Sequence, residues 1–254
     1  MEDYFVRKDS IVRTIWGKAD TVLFIFAGAA AEFALNKAVD WLYFTGKLPE
    51  DPLGRLFSTV AYASRIIFSE TDPALKAIDQ ITGIHKGVEN KRGAQIPDWA
   101  YLDVLFLLID YSIRSFELLE RRLTEVEKEE VFNVFNRVGS RMHLTGLPQN
   151  YMQYCTMRQD YLRKNLINSE FTTDLYKQYK THLGALRYVI LKQVQLILVP
   201  AEVKEKLLSQ KIAWIKPLLL SYKLLRIVKL EGGLKNALLP PAYRERVQGL
   251  NYAN

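Results

Sequence analysis

The chain of 254 residues is poor in the residue types that most often carry chemistry. A single cysteine, Cys155, excludes an intramolecular disulfide and every thiolate metal cluster, and fits a reducing compartment. Only three histidines occur, His85, His143 and His182, and their separations of 58 and 39 residues give no zinc-ligand pair. GxGxxG, a phosphate-binding P-loop, HExxH, CxxC and GxSxG are all missing, which argues against dinucleotide enzymes and conventional hydrolases. Long hydrophobic runs are missing too. The longest, Val22 to Ala31, is stopped by Glu32 well short of the roughly 18–20 residues a bilayer span needs. The opening residues MEDYFVRKDS are charged and carry no secretory apolar run. A soluble, cytoplasmic protein is expected.

What is present is the balance of an ordinary globular protein, 49% hydrophobic and 25% charged. A chain of this length buries roughly 70–75% of its unfolded surface without needing staples. The net charge of +7 is unevenly placed. From Ala201 to Asn254 ten Lys and Arg face four Asp and Glu, leaving only +1 for the first 200 residues. There Lys204, Lys206, Lys211, Lys216, Lys223, Arg226, Lys229 and Lys235 recur between apolar residues. Such a segment touches anionic lipid, an acidic partner or nucleic acid, or is simply a solvated helix face, the commoner case. Its aromatics are sparse and no nucleic-acid module is present, so no nucleic-acid partner is expected. Peripheral membrane contact through these helices stays open.

Apolar residues recur at three- and four-residue spacing throughout, with no competing alternation. Asp51-Pro52 and Asp72-Pro73 each place an acid at an N-cap before a first-turn proline, and Asp98 after Pro97 is a third candidate cap. Thr124 to Glu127 is a capping box. These signals predict helices near 9–17, 20–38, 53–68, 73–88, 98–121, 125–142, 150–165, 170–198 and 202–228. Residues 39–50 read as a packed connection and 89–97 as an exposed loop. No repeat or interdomain linker appears. The expected fold is all-α: a single multi-helix domain over 1–200 with globin-like helical packing around a central pocket, and a basic helical extension, 201–254, packed on it.

Three constellations stand out. Leu75, Ile78, Ile81, His85 and Val88 form one helical stripe, which sets a polar ring on a core-facing surface. Such a ring needs a hydrogen-bond partner or a metal; a core histidine satisfied by the protein and a metal ligand are the two readings. His143, near a helix end, follows the same logic more weakly, and His182 sits on a mixed face. Arg55, Thr59 and Tyr62 fall at i, i+4 and i+7 with Ser58 adjacent, a polar stripe that either meets solvent or offers a cation and hydroxyls to an anionic group. Asp103 and Asp110 share a helix face, with Arg114 four residues beyond Asp110. That is either an i,i+4 ion pair or a carboxylate that orients a histidine.

The run DPLGRLFSTVAYASRIIFSE, followed by ITGIHKGVENKRG, resembles the catalytic-domain family of rubber oxygenases (latex-clearing proteins) and the prenyl-chain oxygenase of mycophenolic acid biosynthesis. The order and spacing of DPxGR, the threonine four residues after the arginine, and the later histidine carry the likeness. YLDVLFLLIDYSIRSFELLERRLTEVEKEEV and RVGSRMHLTGLP extend it. The resemblance implies an all-helical, haem b-dependent catalytic domain that uses dioxygen to cleave carbon–carbon double bonds of isoprenoid chains. His85 would bind the iron, its other ring N–H held by an acceptor. Arg55 would polarise the oxygen side or hold a propionate, Thr59 would supply a hydroxyl, and Ser58 and Tyr62 would line the cofactor site. Latex-clearing proteins carry a lysine directly before that threonine, and Ser58 in its place is no nitrogen ligand. Without a secretion signal, the expected substrate is a small or medium lipophilic molecule inside the cell. The alternative is a non-catalytic helical protein that binds an apolar ligand and has lost the haem chemistry.

Overall fold

The computed structural model describes residues 3–46, 50–207, 213–215, 217, 219 and 221–223. Among them the chain is all-α in a single domain, and the only extended pairings are two isolated bridges, Tyr4 with Glu70 and Asn36 with Leu166. The helices are α1 (Ile11–Trp16), α2 (Ala19–Ala34), α3 (Val39–Phe44), α4 (Pro52–Phe68), α5 (Thr71–Arg92), α6 (Asp98–Leu119), α7 (Glu125–Arg141), α8 (Tyr151–Lys164), α9 (Glu170–Leu198) and α10 (Ala201–Leu207). Beyond α10, most of the helix expected over 202–228 and most of the extension to residue 254 lie outside the described residues. So do Lys211, Lys216, Arg226, Lys229 and Lys235. What is described there packs on the body, with Val203 buried and Tyr222 donating to buried Asp20 at 2.9 Å.

Several helix starts follow the expected chemistry. Asp51 caps α4 by accepting from the Gly54 amide at 2.8 Å, with Pro52 in the first turn. Thr124 and Glu127 form the reciprocal capping box of α7. Two starts differ. α5 begins at Thr71, before Asp72, because the Asp3 carbonyl accepts from both the Thr71 amide (2.8 Å) and its hydroxyl (2.9 Å). At α6 the N-cap is Pro97, and the Asp98 carboxylate instead accepts from the Thr145 hydroxyl. The connection after residue 38 contains the short helix α3, and α5 runs through the expected loop as far as Arg92.

α2 is buried on nearly every side, as a helix apolar all round must be, and lies against α6 and α9. Close approach to α6 depends on Gly28, where an added Cβ would stand 2.3 Å from the Tyr111 ring. α1 inserts Trp16 into the core against Phe26 and Phe135, its indole N–H donating to Ser112 at 3.1 Å.

This apolar interior also holds charge. Arg158 of α8, 3% exposed, makes a two-pronged pair with Glu32 of α2, one contact at 2.6 Å, and reaches Asp110 of α6 at 2.9 Å. Tyr111 donates to Glu32 at 2.9 Å, and Arg114 pairs with Asp110 at 2.8 Å, the i,i+4 pair read from spacing. Burial pushes the Asp110 carboxyl up, but the guanidinium groups of Arg158 and Arg114 outweigh it and hold it below its ordinary value. Asp103 does not orient a histidine either. It accepts from Asn36 at 2.8 Å and Asn165 at 2.9 Å, tying the loop after α2 to the loop after α8. Burial, with the nearby Glu32 charge adding, lifts Asp103 to about 6 against these two donors.

Two outcomes follow from the packing. Arg158→Met leaves the buried Glu32 carboxylate with Tyr111 alone and takes one of two guanidinium partners from half-buried Asp110, and is expected to cost about 3–5 kcal/mol in urea unfolding. A cost under about 1 kcal/mol would mean that the three helices are joined without this network. Gly28→Ala forces Tyr111 off Glu32 and should destabilise by about 1–3 kcal/mol, read in the same assay.

Candidate functional site

α4 and α5 lie side by side and turn their marked faces toward one apolar cavity of about 330 Å³. Phe33 of α2, Trp41 of α3, Ile66 of α4, Leu108 of α6 and Phe135 of α7 supply much of its wall. Arg55, Thr59 and Tyr62 all reach this wall from α4, and His85 reaches it from α5. Their i, i+4, i+7 register selects a cavity face rather than a solvent face. Ser58 is not among the lining residues. Its hydroxyl donates to the Arg55 carbonyl at 2.7 Å and accepts from the Arg55 guanidinium at 3.2 Å. Neither other histidine joins the site: His143 is exposed with φ 60°, and His182 lies half-buried on α9.

The His85 ring is held edge-on to Tyr101, with centroids 5.1 Å apart. Its Nδ1 is buried and has no hydrogen-bond partner among the described residues. Burial, and then the charge of Arg55, push the imidazole down to about 4, against an opposing pull from Glu89. The ring is therefore neutral at ordinary pH and keeps a free lone pair. Glu89, one helical turn beyond His85, does not bond it. Its carboxylate accepts instead from the Tyr101 hydroxyl at 3.1 Å and the Ile96 amide at 2.9 Å. Tyr101 thereby bridges ring contact and carboxylate, and spacing alone marked neither partner, although Glu89 stands four residues after His85.

Arg55 forms no ion pair with a carboxylate among the described residues. Burial pushes its guanidinium below the ordinary value, with Tyr62 opposing, yet an arginine stays charged. The Thr59 hydroxyl donates to the Arg55 carbonyl at a long 3.3 Å. Among the described residues the cavity thus combines apolar walls, one neutral imidazole and one cation without an ion-pair partner. Among the described residues no cluster of three or more His, Cys, Asp or Glu is placed to cage a bare metal ion. A single imidazole suits an ion that brings most of its own ligands, as in a macrocycle.

An all-helical body around an apolar cavity with one free imidazole defines the class. The chain belongs to the family described as ER-bound oxygenase mpaB/B'/Rubber oxygenase, catalytic domain, whose model matches residues 16–249. It therefore carries a catalytic domain of an oxygenase family. The match runs past residue 200, through the basic C-terminal segment as well. No curated protein and no solved structure matches the chain. Among the described residues no helix is long and apolar enough to cross a membrane.

The neutral state of His85 has a measurable consequence. A histidine that ionises near 6.5 when unfolded and near 4 when folded contributes stability above about pH 6.5, lost as pH falls through 4. In an NMR titration of the three imidazoles, His85 should stay neutral down to about pH 4. Arg55→Leu removes the neighbouring cation and should raise that midpoint. An unchanged midpoint would separate the two side chains electrically.

Proposed function

We propose that this protein is a haem b-dependent oxygenase that uses dioxygen on a lipophilic, isoprenoid-like molecule. The observation that carries the reading is the buried Nδ1 of a neutral His85, unpartnered among the described residues, in the wall of an apolar cavity that is also lined by Arg55, which has no counter-ion among them. Those residues fit the group. An imidazole in this state offers its lone pair to iron without first losing a proton, and its contact with the Tyr101 ring restricts its rotation. Arg55 would hold a carboxylate of the cofactor, and apolar walls would strengthen the pairing. Thr59 and Tyr62 bring hydroxyls to the same face for an anionic or oxygen-bearing group.

Bound haem would supply the activation of dioxygen and the oxidation of the carbon–carbon double bond. The protein's share is to hold, orient and exclude water. Apolar walls from several helices favour a hydrocarbon chain over a polar substrate. Ile84 and Val104 line the cavity and are also exposed, so the cavity meets the surface between α5 and α6, where an apolar chain can enter. Ser58, turned onto Arg55, brings no nitrogen to this space, so a bound haem would find its imidazole ligand in His85.

The test is an absorption spectrum of the full chain with added hemin, for the native sequence and for His85→Ala. A sharp Soret band at one haem per chain that is lost in the variant, with helix content kept, supports the cofactor and the ligand together. Stoichiometric haem retained by His85→Ala overturns the ligand assignment. No band in either protein leaves a cavity that binds an apolar molecule without the oxidation.

A further inference from the structure

α9 spans residues 170 to 198, but it is not one rod. Gly184, at φ 75° and ψ 169°, takes a conformation closed to residues with a side chain and divides it into arms 170–183 and 185–198. The arms fold back on each other. Tyr176 donates to the Gln195 side chain at 2.8 Å, although nineteen residues of straight helix would separate them by about 28 Å. The rings of Tyr176 and Tyr188 also meet across the pair, 6.4 Å between centroids. The result is a helical hairpin whose tip lies at residues 183–186.

The tip is apolar where it meets solvent. Leu186 is 74% exposed and Val189 44%, with exposed Ala185 beside them. One exposed leucine is ordinary, but here the exposed apolar residues gather at the turn of a helical hairpin. The charge around them has one sign. Between Leu175 and Pro200 stand Lys177, Lys180, Arg187 and Lys192, with no Asp or Glu. Lys177 and Lys180 are exposed on the first arm. A second copy of the same tip would meet it with like charge.

We propose that the α9 hairpin tip docks on an anionic lipid surface, with Leu186 and Val189 entering the headgroup boundary and the lysines pairing with lipid charge. This surface belongs to α9, apart in sequence from the basic C-terminal segment, and does not depend on haem binding. It also concerns the cavity. Tyr179, on the first arm, lines the cavity wall five residues before Gly184, about 8 Å along the helix. A docked tip would hold the cavity within one helix arm of the phase in which lipophilic molecules dissolve.

The experiment is co-sedimentation of the full chain with vesicles of phosphatidylcholine alone or mixed with phosphatidylserine. The native chain is expected to sediment with the mixed vesicles, less so at raised salt. Leu186→Asp/Val189→Asp should weaken this at least about tenfold, since burial of one such side chain is worth that much. Leu186 is mostly exposed and Val189 nearly half so, and helix content should hold. Lys177→Glu/Lys180→Glu gives a second readout and should remove the preference for phosphatidylserine. Native protein that stays in the supernatant overturns the proposal and leaves the tip to a protein partner. Binding unchanged in the Leu186/Val189 variant overturns it as well and assigns any lipid contact to the C-terminal segment.

Discussion

The pairing of Arg158 with Glu32 and Asp110 is the constraint on which the body of this protein depends. It joins α8 to the two helices at the centre of the fold, α2 and α6, with Arg158 and Glu32 buried and Asp110 half-buried. Each of these charges would be expensive alone in such a place, since removing an ion from water costs several kcal/mol. Together they leave few unsatisfied atoms: Arg158 meets both carboxylates, Tyr111 donates to Glu32, and Arg114 completes Asp110. The arrangement tolerates little sliding of one helix past another. Apolar contacts between α2 and α6 would accept neighbouring registers, whereas the two-pronged pair accepts one. Gly28 belongs to the same constraint, because it lets the Tyr111 ring approach α2 closely enough for its hydroxyl to reach Glu32.

With those helices fixed, the cavity beside them inherits its geometry. Its chemistry comes from burial acting on two basic groups in opposite ways. The imidazole of His85 responds to desolvation and to a nearby cation by giving up its proton, which leaves it neutral. The guanidinium of Arg55 cannot respond in that way and remains a charge in want of an anion. A cavity with these two features and hydrocarbon walls suits a large, mostly apolar, partly anionic guest. Membership of an oxygenase family agrees with that character. Beside His85, the Glu89 carboxylate accepts from Tyr101 and from the Ile96 amide, which keeps it engaged with these donors rather than with the ring.

Much of the fold was legible in advance because it rests on local rules. Helical spacing of apolar residues, Asp51 before Pro52 and the Thr124 capping box each act within a few residues, and each element appears where those rules put it. The misses are also physical. The start of α5 is decided by the carbonyl of Asp3, some seventy residues away in sequence. The division of α9 was marked only by Gly184, a residue that is as often tolerated inside a helix as it is a breaker. The short helix α3 is stapled by Tyr43 to Asp174 and Phe171, partners on α9 that spacing cannot reveal.

The candidate site divides along the same line. The sequence by itself determined that Arg55, Thr59 and Tyr62 share one helical face, that His85 lies on an apolar stripe, and to which family the motif belongs. Helix periodicity and motif spacing are properties of neighbouring residues and need no partner. Only the tertiary structure decided that the two faces meet at one cavity, that Ser58 turns away from it, and that Asp103 serves two asparagines rather than a histidine. It also decided that Glu32, which reads in sequence as the end of an apolar run, is the partner of an arginine 126 residues further on. Burial and pairing are set by which surfaces meet, and a linear pattern states only that a polar group on an apolar face must find a partner, not which one.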